Sequence, residues 1–302
     1  MSAKPSIGFI GVGSMGWPMA GHLHQAGYPL HIIDASAERA KQFASEIGGQ
    51  VSASNKALAQ ASDIIITILP TSAIVESVLC GDDGVIAGLK KDAIIIEMSS
   101  GVPTTTRKLA ELVAQAGGHL VDAPVSGGVP RAKTAELAIM FGGSDALLER
   151  VRPVLNTMGN AIQHTGDVGS AHAMKALNNL VSAGGFLIGI EALLIGKRFG
   201  LDPDKMVDVL NASTGMNNST QKKFKQFVLS GKYNSGFGLD LMVKDLSIAL
   251  GIAKDTGTPA PFSSMCRELS AACAQMLGPG QDHTALAQLS ERLAGIELSE
   301  KQ

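Results

Sequence analysis

The chain has 302 residues, 45% of them apolar and 17% charged, with a formal net charge of -2 at pH 7. That length suits roughly two domains of about 100–200 residues each. Lys and Arg are scattered rather than clustered, so no chain-wide field favours nucleic acid or an anionic membrane, and a small diffusible ligand fits better. Cys80, Cys266 and Cys273 are odd in number and show no paired spacing, which argues for free thiols in a reducing, cytoplasmic compartment.

The opening MSAKPSIGFIGVG has one lysine and an apolar run broken at once by glycines, so it reads as a first strand rather than a signal peptide. Up to about residue 165 short runs rich in Ile and Val alternate with helical stretches: SIGFIGV, PLHIID, DIIITIL, DAIIIEMS, HLVDAPV and ELAIMFGG. Continuous apolar runs of this length suit strands buried on both faces. Alternating with helices, they predict a mostly parallel, doubly wound sheet, the α/β class. From residue 166 onward the spacing is helical, with breaks at Gly200 to Pro203, Ser230 to Gly238, Gly257 to Pro261 and Gly278 to Gly280. The expected organisation is a dinucleotide-binding Rossmann-like domain over 1–165 and an all-helical domain over 166–302, joined by a helix starting near Gly169. The stretch LVSAGGFLIGIEALLIG, 180–196, is shorter than the roughly 20 residues a membrane span needs and contains Glu191, so it reads as a core helix.

GFIGVGSMG, 8–16, puts Gly11, Gly13 and Gly16 in G-x-G-x-x-G spacing between a strand and a helix. The first glycine permits the turn, the second admits a pyrophosphate, and the third allows close helix packing. The segment Gly11, Val12, Gly13, Ser14, Met15, Gly16 is therefore the expected phosphate turn. Asp34 ends the second strand, where a carboxylate accepts hydrogen bonds from the adenosine ribose and repels a 2′-phosphate. NAD is favoured over NADP, with Arg39 nearby as the opposing feature. A cap for the helix near Ala37 is the competing role for Asp34.

Ligands in such sheets bind beyond the carboxyl ends of the strands. Three of those ends carry distinctive residues: Leu69-Pro70-Thr71, Ser99-Ser100-Gly101, and the run from Asp122 to Gly128. In the last, Ser126 precedes Gly127 and Gly128, exposing successive backbone N–H groups as a cradle for a carboxylate. Downstream, GSAHAMKALNNL, 169–180, is a run of small and apolar residues that nevertheless carries Lys175, Asn178 and Asn179. Asn is a poor helix former, so something other than helix stability is served. Lys175 and Asn179 stand i, i+4 on one helix face. A lysine there can supply both proton and charge to an alkoxide during hydride transfer. The neighbours Ala171, Ala173, Met174, Ala176, Leu177 and Leu180 leave little polar face and predict that this short helix is mostly buried. Lys175 and Asn179 are expected to face a substrate held between the two domains.

GFIGVGSMGWPMA, DAPVSGG, GSAHAMKALNN and LMVKDL resemble, in order and spacing, the motifs of the β-hydroxyacid dehydrogenases, whose members include 3-hydroxyisobutyrate dehydrogenases and tartronate semialdehyde (2-hydroxy-3-oxopropionate) reductases. The likeness covers nearly the full chain. It implies that Lys175 is the catalytic lysine, that Asn179 helps place the substrate, and that Ser126, Gly127 and Gly128 receive the substrate carboxylate. It also implies that Met15 lies in the phosphate turn, that Leu69 and Pro70 border the adenosine side, that Ser100 falls at the nicotinamide end, and that Lys244 reaches the cofactor from the helical domain. A surface lysine paired with a nearby acid is the alternative for Lys244. Two departures stand out: Ala171 replaces a glycine of the family's helix entrance, and Asp34-Ala35-Ser36 differs from the Asn-Arg-Thr or Asn-Arg-Ser of members that prefer NADP.

The implied activity is hydride transfer between NAD and a small 3-hydroxy carboxylate or its semialdehyde, with Lys175 as general acid and base and no metal required. His22 and His24 stand i, i+2 on a helix and point to different faces, and no Cys/His cluster has zinc spacing. An imine reductase shares this fold and cofactor site, but Lys175 counts against it. A dinucleotide-binding sensor without catalysis is the reading of another class. The likeness further implies a homodimer or homotetramer, and the substrate's side-chain pocket is expected around Met216 to Gln221.

Overall fold

The computed structural model describes residues 4–299, which leaves the opening Met-Ser-Ala of the first-strand segment outside the described residues. The chain divides into two compact units, Met1–Lys175 and Ala176–Gln302.

Among the described residues the first unit holds one nine-stranded sheet. Its strands are β1 (Ile7–Ile10), β2 (Leu30–Ile33), β3 (Gln50–Val51), β4 (Ile64–Thr67), β5 (Ile94–Glu97), β6 (His119–Asp122), β7 (Val125–Ser126), β8 (Leu137–Gly142) and β9 (Gly159–Gly166). The order is β3-β2-β1-β4-β5-β6-β8-β7, with β9 paired to β8. From β3 through β6 every pairing is parallel. β8 then runs antiparallel to β6 and β7 and parallel to β9. The apolar runs predicted as strands are β1, β2, β4, β5, β6 and β8.

β3 and β9 carry no such run, for a physical reason. Both residues of β3 are exposed at the sheet edge, and β9, GNAIQHTG, is largely solvated and is held by backbone pairing with β8. An edge strand needs little apolar surface to be stable as a strand.

The central strands sort their side chains by the two-residue period of extended chain. Phe9, Ile64, Ile66, Ile94, Ile96 and Val121 enter one core, while Ile10, Ile65, Ile95 and Leu120 enter the core on the opposite face. Helices cover both cores, which is why these strands read as unbroken Ile runs. Four of the helices begin on a hydroxyl side chain that accepts a backbone N–H: Ser36, Ser54, Thr71 and Ser144. Each supplies a partner for an N–H that the helix itself leaves open.

The second unit is built of helices, beginning within the long helix Ser170–Phe199 and continuing with Pro203–Asn211, Asn218–Lys222, Leu239–Asp255, Pro261–Leu277 and Ala287–Ala294. Phe224–Leu229 is a π-helix, and Gly238 and Asp282 form an isolated bridge. Phe186, Leu187, Ile190, Leu193, Val207, Phe224, Val228 and Leu286 are among the side chains of its core. The long helix is long and apolar enough to cross a membrane, yet 56% of its most apolar stretch is buried inside the protein. Val181, Ile188, Ile195 and Phe199 stay exposed along one side of it. Cys80 is exposed, whereas Cys266 and Cys273 are buried, and all three are free thiols.

Candidate active site

The strand order reverses at β1, with β2 on one side and β4 on the other. The residues predicted for cofactor and carboxylate collect at the carboxyl ends of the parallel strands: Gly11 to Gly16 after β1, Asp34 after β2, Leu69 and Pro70 after β4, Ser100 after β5, and Ser126 to Gly128 after β6. One edge of one sheet carries all of these, whereas Asn179 and Lys244 lie on helices of the second unit.

The fingerprint glycines are required for different reasons. Gly11 has φ 99° and a Cβ there would press on the Ile68 carbonyl oxygen, while at Gly16 it would collide with the Gly11 carbonyl oxygen. Around Gly13 the space is open, the nearest atom to an added Cβ being Arg39 Nη1 at 4.0 Å. A side chain at Gly13 would fill that space, so the cradle fits a pyrophosphate. Asp34 is not the helix cap, since Ser36 holds that position. Its Oδ2 accepts the Val12 N–H at 2.8 Å and its Oδ1 accepts the Ser36 N–H at 2.9 Å. These bonds fix the carboxylate against the phosphate turn and leave each oxygen a lone pair for a ribose hydroxyl.

Ser126 pairs within the sheet through β7, and Gly127 and Gly128 follow with φ of 129° and 65°. Two successive left-handed residues are inaccessible to most side chains. The sequence Ser-Gly-Gly is therefore a backbone requirement as well as a way to bare N–H groups. Leu69 N donates to Ser99 Oγ at 2.8 Å, tying the end of β4 to that of β5.

Lys175 is only 8% exposed and Asn179 only 7%. The helix around them is not uniformly buried, as its composition had implied. Met174 and Leu177 stand in solvent while the polar pair is enclosed, and the helix runs on to Phe199. Within the second unit, Asn179 Nδ2 donates to Asp245 Oδ2 at 2.6 Å, and its Oδ1 accepts from Asn178 at 3.2 Å. Lys244 Nζ lies 3.5 Å from Asp245 Oδ1, so this lysine has an acidic neighbour. Asp245, buried in the helix Leu239–Asp255, orients Asn179 and went unnoticed in the sequence.

A second group unnoticed in the sequence lies within the first unit. Asp122, fully buried at the end of β6, accepts the N–H of Gly169 at 2.7 Å and of His172 at 2.8 Å. It thereby anchors the first turn of the long helix, one turn before Lys175. The His172 ring is also buried, with Nε2 2.8 Å from Glu97 Oε2 in an ion pair whose carboxylate lies off the N–H direction. Its Nδ1 lies 2.7 Å from Thr106 Oγ1. The same hydroxyl lies 3.1 Å from the Val102 carbonyl oxygen. The carboxylate beside Nε2 favours the protonated form of His172. Burial alone would lower the His172 pKa and raise that of Glu97, but their mutual attraction reverses both: His172 is held above its ordinary value and Glu97 below. Glu97 Oε1 also accepts the Ser99 N–H at 2.9 Å. A signal existed, since IIIE and HLVD end apolar strands on a carboxylate, and a buried carboxylate demands a partner.

Comparisons with known proteins identify the family. Residues 6–166 match the model for the NAD binding domain of 6-phosphogluconate dehydrogenase, and residues 169–290 match a second model, described as NAD-binding of NADP-dependent 3-hydroxyisobutyrate dehydrogenase. The chain is 36% identical to 2-(hydroxymethyl)glutarate dehydrogenase of Eubacterium barkeri, over 99% of each protein. It is 34% identical to 2-hydroxy-3-oxopropionate reductase of Escherichia coli, covering 97% of this chain and 99% of the relative. Among solved structures, 3-hydroxyisobutyrate dehydrogenase of Mycobacterium tuberculosis superposes with a TM-score of 0.88 at 31% identity, covering 94% of this chain and 98% of that one. With its NAD-binding sheet, its helical second unit and these relatives along nearly its whole length, the chain belongs to the β-hydroxyacid dehydrogenases, NAD(P)-dependent oxidoreductases acting on CH–OH groups.

Proposed function

We propose that this protein oxidises a small 3-hydroxy carboxylate to its semialdehyde, and reduces the semialdehyde in reverse, with Lys175 as the proton-transfer group. The observation that carries the reading is the inverted helix face: an amine and an amide are kept from solvent at Lys175 and Asn179 while Met174 and Leu177 are left in it. Ser126, Gly127, Gly128 and Asn179 hold the carboxylate. Lys175 accepts the hydroxyl proton in oxidation and returns it in reduction. Gly11, Val12, Gly13, Ser14, Met15 and Gly16 receive the pyrophosphate, Asp34 the ribose, and Leu69, Pro70, Ser100 and Lys244 border the rest of the dinucleotide. NAD, when bound, supplies the hydride acceptor.

Asp34 makes NAD the preferred cofactor over NADP. The expected result is a kcat/KM for NAD at least about tenfold above that for NADP, equivalent to roughly 1.4 kcal/mol of charge repulsion. Asp34→Asn narrows this ratio, because the amide keeps an acceptor but loses the charge. The function itself is tested by following NADH formation with a panel of 3-hydroxy acids that includes the substrates named for the relatives. Turnover of at least one acid is expected. Reduction of cyclic imines with no turnover of hydroxy acids, or NADH binding with no turnover of either, would overturn the reading.

The active species is a homodimer or homotetramer in the cytoplasm. Val181, Ile188, Ile195 and Phe199, up to 84% exposed, form an apolar stripe along the long helix that association would cover.

A further inference from the structure

Lys223 sits at the junction between the helix Asn218–Lys222 and the π-helix Phe224–Leu229. The segment is pinned against the long helix on both sides of this lysine. Phe224 is fully buried, with its ring where a Cβ on Gly189 would stand, and Asn217 lies against Gly185. Between these anchors, Lys223 Nζ donates to Ser182 Oγ at 3.0 Å, the hydrogen bond this amine makes among the described residues.

Lys223 is half-buried, and among the described residues no carboxylate touches its amine. Asp282, the acid that attracts it from a distance, is already committed to its own loop, where it accepts from Ser235 Oγ, Gly236 N, Phe237 N, Thr284 N and Thr284 Oγ1. His283 stays neutral, since burial first and then Lys223 push its pKa down to about 4. Burial prevails over Asp282 and brings the Lys223 pKa down to about 8. A positive charge held there at neutral pH has its desolvation only partly offset, and a ligand carboxylate would complete it.

Position along the helix defines which carboxylate. Lys175, Asn179 and Ser182 fall at i, i+4 and i+7 on one face of the long helix. Ser182 lies about 4.5 Å further along the axis than Asn179, a rise that a short methylene spacer between two carboxylates spans. We infer that Lys223 and Ser182 form a second anion subsite, which selects 3-hydroxy acids whose 2-substituent ends in another carboxylate. The inference rests on the proposed placement of the first carboxylate at Asn179. No residue of the proton-transfer machinery is altered by it, and Lys223 acts as a specificity-determining residue.

The test is steady-state kinetics of the whole protein with NAD and two acids matched in length, 2-(hydroxymethyl)glutarate and its analogue ending in a methyl group. Wild type is expected to show the higher kcat/KM with the diacid. Lys223→Met should lower the diacid-to-monoacid ratio of kcat/KM by roughly 10- to 100-fold, the worth of one charged hydrogen bond, mainly through KM. Lys223→Arg, which keeps the charge, should retain the diacid preference. A monoacid turned over as well as the diacid by wild type, or a Lys223→Met variant that loses both substrates in proportion, would overturn the inference and leave the dehydrogenase reading standing. Failure of wild type to oxidise any 3-hydroxy acid would instead overturn the parent reading.

Discussion

Lys175→Ala is expected to lower kcat by roughly 100- to 10,000-fold, the range that loss of a general acid–base group produces, while NADH still binds. The amine stands three residues beyond His172, whose N–H is held by Asp122, so its substitution removes a proton carrier without releasing the first turn of the helix. Cofactor binding can be read separately from turnover. The chain has a single tryptophan, and Trp17 lies in the first turn of the fingerprint helix, its backbone N–H donating to the Gly13 carbonyl at 2.9 Å. Its fluorescence should respond to NADH in the variant as in the wild type. Undiminished turnover by Lys175→Ala would remove the assignment of this residue.

The second large effect is on stability. In His172→Ala the Glu97 carboxylate remains buried with its cationic partner gone, and the expected loss is about 3–5 kcal/mol of unfolding free energy, measured by urea denaturation at pH 6. Changing both residues to apolar ones of similar size should cost less than the single change, because no bare charge is left behind. An effect below about 1 kcal/mol in the single variant would mean that the buried pair is not ionised. The pH dependence has a definite sign. Glu97, depressed below its ordinary 4.5, contributes fully above that value, and its contribution is lost as pH falls through the folded pKa. His172, raised above 6.5, contributes fully below that value, and its contribution is lost as pH rises through the folded pKa. The pair therefore contributes most from about pH 4.5 to 6.5, and the difference between wild type and His172→Ala should shrink on either side of that window.

The Ile-rich strands, the glycine fingerprint and Asp34 were legible in the sequence because each obeys a local rule. Burial on both faces makes an unbroken apolar run, and a tight turn demands glycine. Lys175 and Asn179 were legible by contrast, as polar residues in an apolar stretch. β9 was not, since pairing with β8 supplies its stability and its composition carries no period. Asp122, His172, Glu97 and Asp245 were hidden for a related reason: each acts through a partner far away in the chain, and no spacing rule connects Glu97 to His172. Lys223 carried no signal in the sequence, because the partial burial of its amine depends on where Phe224 and Asn217 dock.

Asp122 and Glu97 belong to the sheet, yet the groups that pair with them arrive with Gly169 and His172. A truncated protein ending at residue 166, where the match to the NAD-binding model stops, would keep both acids and discard their partners. An autonomous nucleotide-binding fragment has to carry the opening turns of the following helix with it. In this chain the end of the sheet and the edge of the foldable piece are therefore different places.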